Sequence, residues 1–128
     1  MLGRSIGSGP ATYLALKNPG LGGLILESPF SSIDDAAAGV WYFRIYPAAL
    51  ILRTHFDNLR AIGSVKVPVL IISGTADTLT PKWMADKIFT QARRPKQLYV
   101  IPGAGHDDLP ATGGNALTQV LRKFVQEN

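Results

Sequence analysis

Short apolar runs alternate with segments of helical periodicity along most of the chain. Three runs, at residues 24–26, 67–73 and 97–101, are followed within three positions by glycine or proline, which predicts buried β-strands. Helical spacing of apolar side chains predicts amphipathic helices around the strands. These side chains are Ala11, Leu14 and Ala15, then Met84, Ala85, Ile88 and Phe89, and last Leu117, Val120, Leu121, Phe124 and Val125. Thr80 and Asn115 stand where helix N-caps are expected.

Strands that alternate with helices pair in parallel through right-handed crossover connections. The pattern therefore predicts an α/β fold of three layers, in which helices flank a short parallel sheet of about three strands. Ligands of such sheets bind at the carboxyl ends of the strands. Three reactive residues are expected at that edge, because Ser5 precedes the first helix, Asp77 follows the second apolar run and His106 follows the third.

Residues 3–7 have the pattern Gly-x-Ser-x-Gly. The pattern is typical of a sharp strand-to-helix turn that strains the serine and exposes its hydroxyl, with small residues on either side to keep strand and helix apart. Such a turn also directs the N–H of Ile6 towards a developing oxyanion. A plain glycine-rich turn remains the alternative for the motif taken alone.

Serine, aspartate and histidine follow one another here in the chain order of the α/β hydrolases. Serine becomes a strong nucleophile when a histidine takes its proton, and a carboxylate fixes the tautomer of that histidine. Glu27 is the second candidate for the acid. Asp107 is too close to His106 in sequence to orient its ring and is expected to shape the histidine loop. His55 is expected to be a packing or surface residue.

Four segments, at residues 3–11, 26–30, 67–77 and 102–108, resemble the α/β-hydrolase superfamily. The similarity is to the branch of serine aminopeptidase-like and acyl-protein thioesterase-like hydrolases. The resemblance implies a serine hydrolase of carboxylesterase or thioesterase type, which acts on a small acyl ester or thioester through an acyl-enzyme.

The same resemblance implies a role for each candidate residue. Ser5 would be the nucleophile, Asp77 the acid and His106 the base of a catalytic triad. The N–H of Ile6 would be one donor to the oxyanion.

The resemblance also implies a cap or lid at residues 31–66. Its aromatic side chains would line an acyl pocket or pack within the lid; they are Trp41, Tyr42, Phe43 and Tyr46. The two interpretations remain open.

The nucleophile turn of that superfamily follows the fifth strand, whereas here it begins at residue 3. We therefore expect residues 1–128 to form one truncated domain that lacks the N-terminal strands and the second oxyanion donor. The strand at 24–26 would then expose an apolar edge, which predicts a homo-oligomer. The alternative function is an impaired hydrolase fragment that acts as a self-associating or interaction module.

Composition and charge limit the classes of protein and the kinds of site that the chain can contain. The chain has 128 residues, of which 46% are hydrophobic, so a disordered tail is excluded and one domain is expected. It has no cysteine and two histidines, and we therefore predict no disulfide, no metal site and no cofactor. The net charge of +4 is scattered. Its densest cluster, Arg93, Arg94 and Lys96, suits a helix C-terminus better than a nucleic-acid site, because no nucleic-acid motif accompanies it.

No membrane span is predicted. The longest apolar run, residues 40–52, contains Arg44 and Pro47 and is shorter than the roughly 20 residues that a span needs. The first residues lack the basic and apolar regions of a signal peptide, so a cytoplasmic location is expected.

Overall fold

The computed structural model describes residues 1–32, 35, 57–93 and 95–128. Within these residues four parallel strands form one sheet in the order β1-β2-β3-β4. The strands are β1 (Leu2–Arg4), β2 (Leu24–Glu27), β3 (Val69–Gly74) and β4 (Lys96–Ile101). A 3-10 turn (Ser5–Gly7) leads from β1 into α1 (Ser8–Lys17), and the other helices are α2 (Asn58–Ile62), α3 (Lys82–Gln91) and α4 (Leu109–Glu127).

Helices cover the sheet on both faces, as the predicted three-layer α/β fold requires. Successive strand residues point to opposite faces, so Leu24 and Leu26 pack with α1, α2 and α3, whereas Ile25 packs with α4. Every residue of β3 is buried, in agreement with the apolar run Val69–Ile72 that begins the strand. The carboxyl ends of the strands meet at one edge, and the loops from that edge carry the candidate site.

The sheet has one more strand than the sequence predicts, and this corrects the expected position of the open edge. Residues Leu2–Arg4 pair with β2 in the register Leu2 to Ile25, and the N–H of Ile25 donates to the Met1 carbonyl at 2.8 Å. The strand at 24–26 therefore has neighbours on both sides, and the expectation that it exposes an apolar edge is wrong. Three extended residues before the turn suffice to continue the ladder. Among the described strands, β1 and β4 are the outer ones.

Two helices differ in detail from their sequence patterns. Ala11 and Ala15 of α1 are buried, but Leu14, predicted on the same face, is 46% exposed. Helix α4 begins at Leu109, earlier than predicted, and is kinked at Gly114, where φ is 49°. Gly114 separates two helical segments, and Asn115 directly follows this break, where the sequence predicts the start of the last helix.

Lys96 behaves as a cation at a helix C-terminus, since its ammonium group donates to the carbonyls of Phe89 and Thr90 in the last turn of α3. Several other predictions fall outside the described residues: most of the proposed cap at 31–66, with Trp41, Tyr42, Phe43, Tyr46 and His55, and also Arg94. Within the described part of the chain, no helix is both long and apolar enough to cross a membrane.

Candidate active site

The turn after β1 holds Ser5 in a left-handed backbone conformation, with φ of 50°. Few residues other than glycine adopt this conformation, and strain of this kind concentrates at functional sites. Helix α1 crosses directly over the turn, so that a Cβ atom at Gly3 would lie 2.5 Å from Cβ of Ala11 and 2.6 Å from the carbonyl oxygen of Gly7. Glycine at position 3 therefore allows strand and helix to approach closely.

Gly7, the second glycine of the motif, lies in a different environment. Its φ and ψ of −66° and −13° are helical, and no heavy atom of the described residues lies within 4 Å of a Cβ built there. The sequence motif gives both glycines the same steric role, but the structure gives that role to Gly3.

Asp77 lies in the turn after β3, and this turn satisfies its carboxylate. The N–H groups of Leu79 and Thr80 donate to Oδ1 at 2.9 and 2.8 Å, and the Thr80 hydroxyl donates to Oδ2 at 2.8 Å. Burial of the side chain acts to raise the pKa of Asp77, but hydrogen bonding by Thr80 and His106 lowers it, so the pKa lies below its ordinary value of 3.8. Asp77 is therefore ionised at neutral pH.

His106 lies on the loop after β4, which packs closely against the end of β3. A Cβ atom at Gly74 would lie 2.7 Å from the carbonyl carbon of Ala104, so glycine at that position permits the approach. The N–H of Ala76 donates to the Ala104 carbonyl at 2.9 Å and joins the two loops. The acid turn and the histidine loop thus form one packed unit.

The imidazole of His106 joins the other two residues in one line of hydrogen bonds. Its Nδ1 lies 2.9 Å from Oδ2 and 3.1 Å from Oδ1 of Asp77, and its Nε2 lies 2.9 Å from Oγ of Ser5. An ionised carboxylate only accepts hydrogen bonds, so Nδ1 carries a proton, and in the neutral imidazole Nε2 then accepts from the Ser5 hydroxyl. This arrangement can take a proton from Ser5 and stabilise the imidazolium that results.

Two side chains at the site carried no catalytic signal in the sequence. Thr80, interpreted as a helix cap, turns its hydroxyl to Asp77, and the N-cap position of α3 is Pro81. Ser28 follows β2, is fully buried and has φ of 44°. Its hydroxyl has no hydrogen-bond partner among the described residues.

The remaining predicted residues lie at the edge of this site or outside it. Glu27, the second candidate acid, ends β2, and the side-chain hydrogen bonds of His106 with described residues go to Ser5, Asp77 and Thr80. Ile6 is the second residue of the 3-10 turn, so its N–H has no acceptor within the turn. In the described segments no group of three His, Asp or Glu side chains is placed to hold a metal ion.

Comparisons with known proteins identify the fold. No protein-family model matches the chain. The uncharacterized protein Rv2307c of Mycobacterium tuberculosis is 33% identical over 125 residues, which are 98% of this chain and 43% of that protein. The α/β hydrolase domain-containing protein WAV2 of Arabidopsis thaliana is 27% identical over 142 residues, which are 99% of this chain and 46% of that protein.

Among solved structures, the esterase Pf2001 of Pyrococcus furiosus superposes with a TM-score of 0.77 at 19% identity, over 98% of this chain and 52% of the esterase. The chain thus spans about half the length of these relatives. It has the α/β-hydrolase fold and, in sequence and in structure, resembles a part of the proteins that carry that fold.

Proposed function

We propose that this chain carries the catalytic triad of a serine hydrolase of carboxylesterase or thioesterase type. The observation that carries the proposal is the line of hydrogen bonds from Ser5 Oγ through His106 to Asp77, with 2.9 Å between Oγ and Nε2 and 2.9 Å between Nδ1 and Oδ2. These groups come from three separate strand ends, and the serine is held at a strained φ.

The proposed reaction proceeds in two halves. Oγ of Ser5 attacks the acyl carbonyl carbon while Nε2 of His106 takes the hydroxyl proton, and the N–H of Ile6 donates to the oxyanion. The bond to the leaving group then breaks, and His106 returns the proton to the departing alcohol or thiol. Water attacks the acyl-enzyme in the same way, with His106 again as base, and releases the carboxylic acid and free Ser5.

An acyl substrate suits the surroundings of the nucleophile. Ile6 directly follows Ser5, and Leu79 lies two residues after Asp77. Their side chains are 58% and 36% exposed, so they are available to contact an apolar acyl group. The name of the Pyrococcus furiosus relative, an esterase, agrees with this substrate class. The match covers 52% of that esterase. The substrate specificity of the whole protein is therefore proposed and does not follow from the match.

A second candidate function is an interaction module with little catalytic activity. It is favoured by the exposed large apolar side chains in the first fourteen residues, which are Met1, Leu2, Ile6, Tyr13 and Leu14. This function would not need a reactive serine. Reactivity of Ser5 therefore separates the two candidates, and sedimentation over a concentration series tests the homo-oligomer that the second one predicts.

The test is covalent labelling by a fluorophosphonate together with hydrolysis of short p-nitrophenyl esters. We expect the label on Ser5, and we expect Ser5→Ala to lose both labelling and hydrolysis. Ser64→Ala is the matched control, because Ser64 is an exposed serine in the turn after α2, away from the strand ends. A folded chain that is not labelled, or a Ser5→Ala variant that keeps most of the activity, would refute the enzyme proposal.

A further inference from the structure

Arg4 links the nucleophile turn to the histidine loop. It is the last residue of β1 and directly precedes Ser5. Its Nη2 atom donates to the carbonyl oxygen of His106 at 2.9 Å and to Oδ1 of Asp107 at 2.9 Å. The sequence motif treats position 4 as open to any residue, so nothing in the motif predicts this contact.

The histidine loop requires contacts that hold its conformation, because it contains two glycines, of which Gly103 has a φ of 77°. Its first half is held by the acid turn and by its own side chains. The N–H of Gly103 donates to the Thr75 hydroxyl at 2.8 Å, and the N–H of Gly105 donates to Asp108 at 2.6 Å. The carbonyl of His106 is bound by Arg4, which therefore holds the half of the loop that carries the imidazole.

The link also crosses the whole sheet. Ser5 follows β1 and His106 follows β4, and two strands lie between them in the order β1-β2-β3-β4. Small changes of twist between strands therefore accumulate across the distance that separates nucleophile and base. Arg4 joins the two outer strand ends directly, beside the contact of 2.9 Å between Ser5 and His106.

We propose that Arg4 is a positioning residue, which acts through the carbonyl of His106 to keep the imidazole within hydrogen-bonding distance of Ser5. The inference rests on the proposed function, since it assigns Arg4 a role in that reaction. The ion pair with Asp107 is secondary, because the side chains are 40% and 88% exposed and exposed ion pairs contribute little.

Paired substitutions separate the carbonyl contact from the ion pair. We expect Arg4→Ala to lower kcat and the rate of fluorophosphonate labelling about 10- to 100-fold, because misplacement of a catalytic group by about 1 Å costs this much, while KM changes little. Arg4→Lys should recover part of the loss, since an ammonium group can still donate to the carbonyl. Asp107→Asn is the matched control and should stay within about threefold of the wild-type rate.

Hydrogen exchange of residues 105–108 supplies a measurement that does not require activity. We expect faster exchange in Arg4→Ala than in the wild type or Asp107→Asn, at an unchanged unfolding midpoint. Wild-type labelling rates in Arg4→Ala, equal losses in Arg4→Ala and Asp107→Asn, or unchanged exchange would overturn the role of Arg4. If the wild type itself is not labelled, the proposed function fails, and exchange alone then decides whether Arg4 holds the loop.

Discussion

The two glycines of the nucleophile turn should differ in their tolerance of alanine. In Gly3→Ala the new Cβ would lie 2.5 Å from Cβ of Ala11 and 2.6 Å from the carbonyl oxygen of Gly7. Neither atom can rotate away, because one is fixed to the helix backbone and the other belongs to it. The strand and α1 would have to separate.

These contacts determine the expected change in the free energy of unfolding of each variant. Overpacking of a closely packed site costs about 1–3 kcal/mol, and the rigid neighbours of Gly3 favour the upper end of that range. Gly7→Ala has a helical φ, and none of the described residues beyond its chain neighbours lies within 4 Å of the new methyl group, so a gain of about 0.4–1 kcal/mol is expected from the lower entropy of the unfolded chain. The two variants should therefore differ by about 3–4 kcal/mol in the free energy of unfolding.

The assay is urea unfolding of the wild type and both variants, combined with fluorophosphonate labelling under native conditions. Gly3→Ala should unfold at lower urea and label slowly, because separation of strand and helix also displaces Ser5. Gly7→Ala should unfold at the same or higher urea and label at close to the wild-type rate. Equal losses of stability in the two variants would refute the steric argument and favour the symmetric role that the motif suggests.

Two further predictions concern the acid. Asp77→Asn should lower turnover about 10⁴-fold by leaving His106 in the wrong tautomer, whereas Glu27→Gln should stay near the wild type; the reverse ranking in ester hydrolysis would move the acid to β2. The folded-state pKa of Asp77 is lowered, so its contribution to stability is present above the unfolded pKa and is lost as pH falls through the folded pKa. The difference in unfolding free energy between wild type and Asp77→Asn should thus shrink as pH falls below about 4, and a difference that stays constant from about pH 4 to about pH 2.5 would contradict the lowered pKa.

Much of the fold could be predicted because its signals are local. The buried runs 67–73 and 97–101 contain all but one residue of β3 and of β4, and the alternation with helices predicts the parallel pairing. The strand Leu2–Arg4 is not among the strands that the sequence predicts, because three residues carry no periodicity. Its pairing depends on β2, and a contact between distant segments leaves no trace in a short local pattern.

The candidate site, like the fold, could be predicted from the sequence only in part. Residues with reactive chemistry at strand ends could be selected from the sequence, and the structure brings Ser5, Asp77 and His106 together. The side chains around them could not be selected, because their chemistry is ordinary and their role comes from position. Thr80 has the composition of a helix cap, and only the turn geometry directs its hydroxyl to Asp77.

Ser28 directly follows β2, the strand whose end carries none of Ser5, Asp77 and His106. Ser5 and Ser28 are the two non-glycine residues of the described segments with positive φ, and they follow neighbouring strands. Each such conformation costs about 1–3 kcal/mol and persists where the surroundings determine it strongly. At Ser28 the N–H continues the ladder to Ile72 at 2.9 Å, and the side chain is fully buried. Positive φ thus occurs at the ends of two neighbouring strands, β1 and β2, at the edge of the sheet where Ser5, Asp77 and His106 meet.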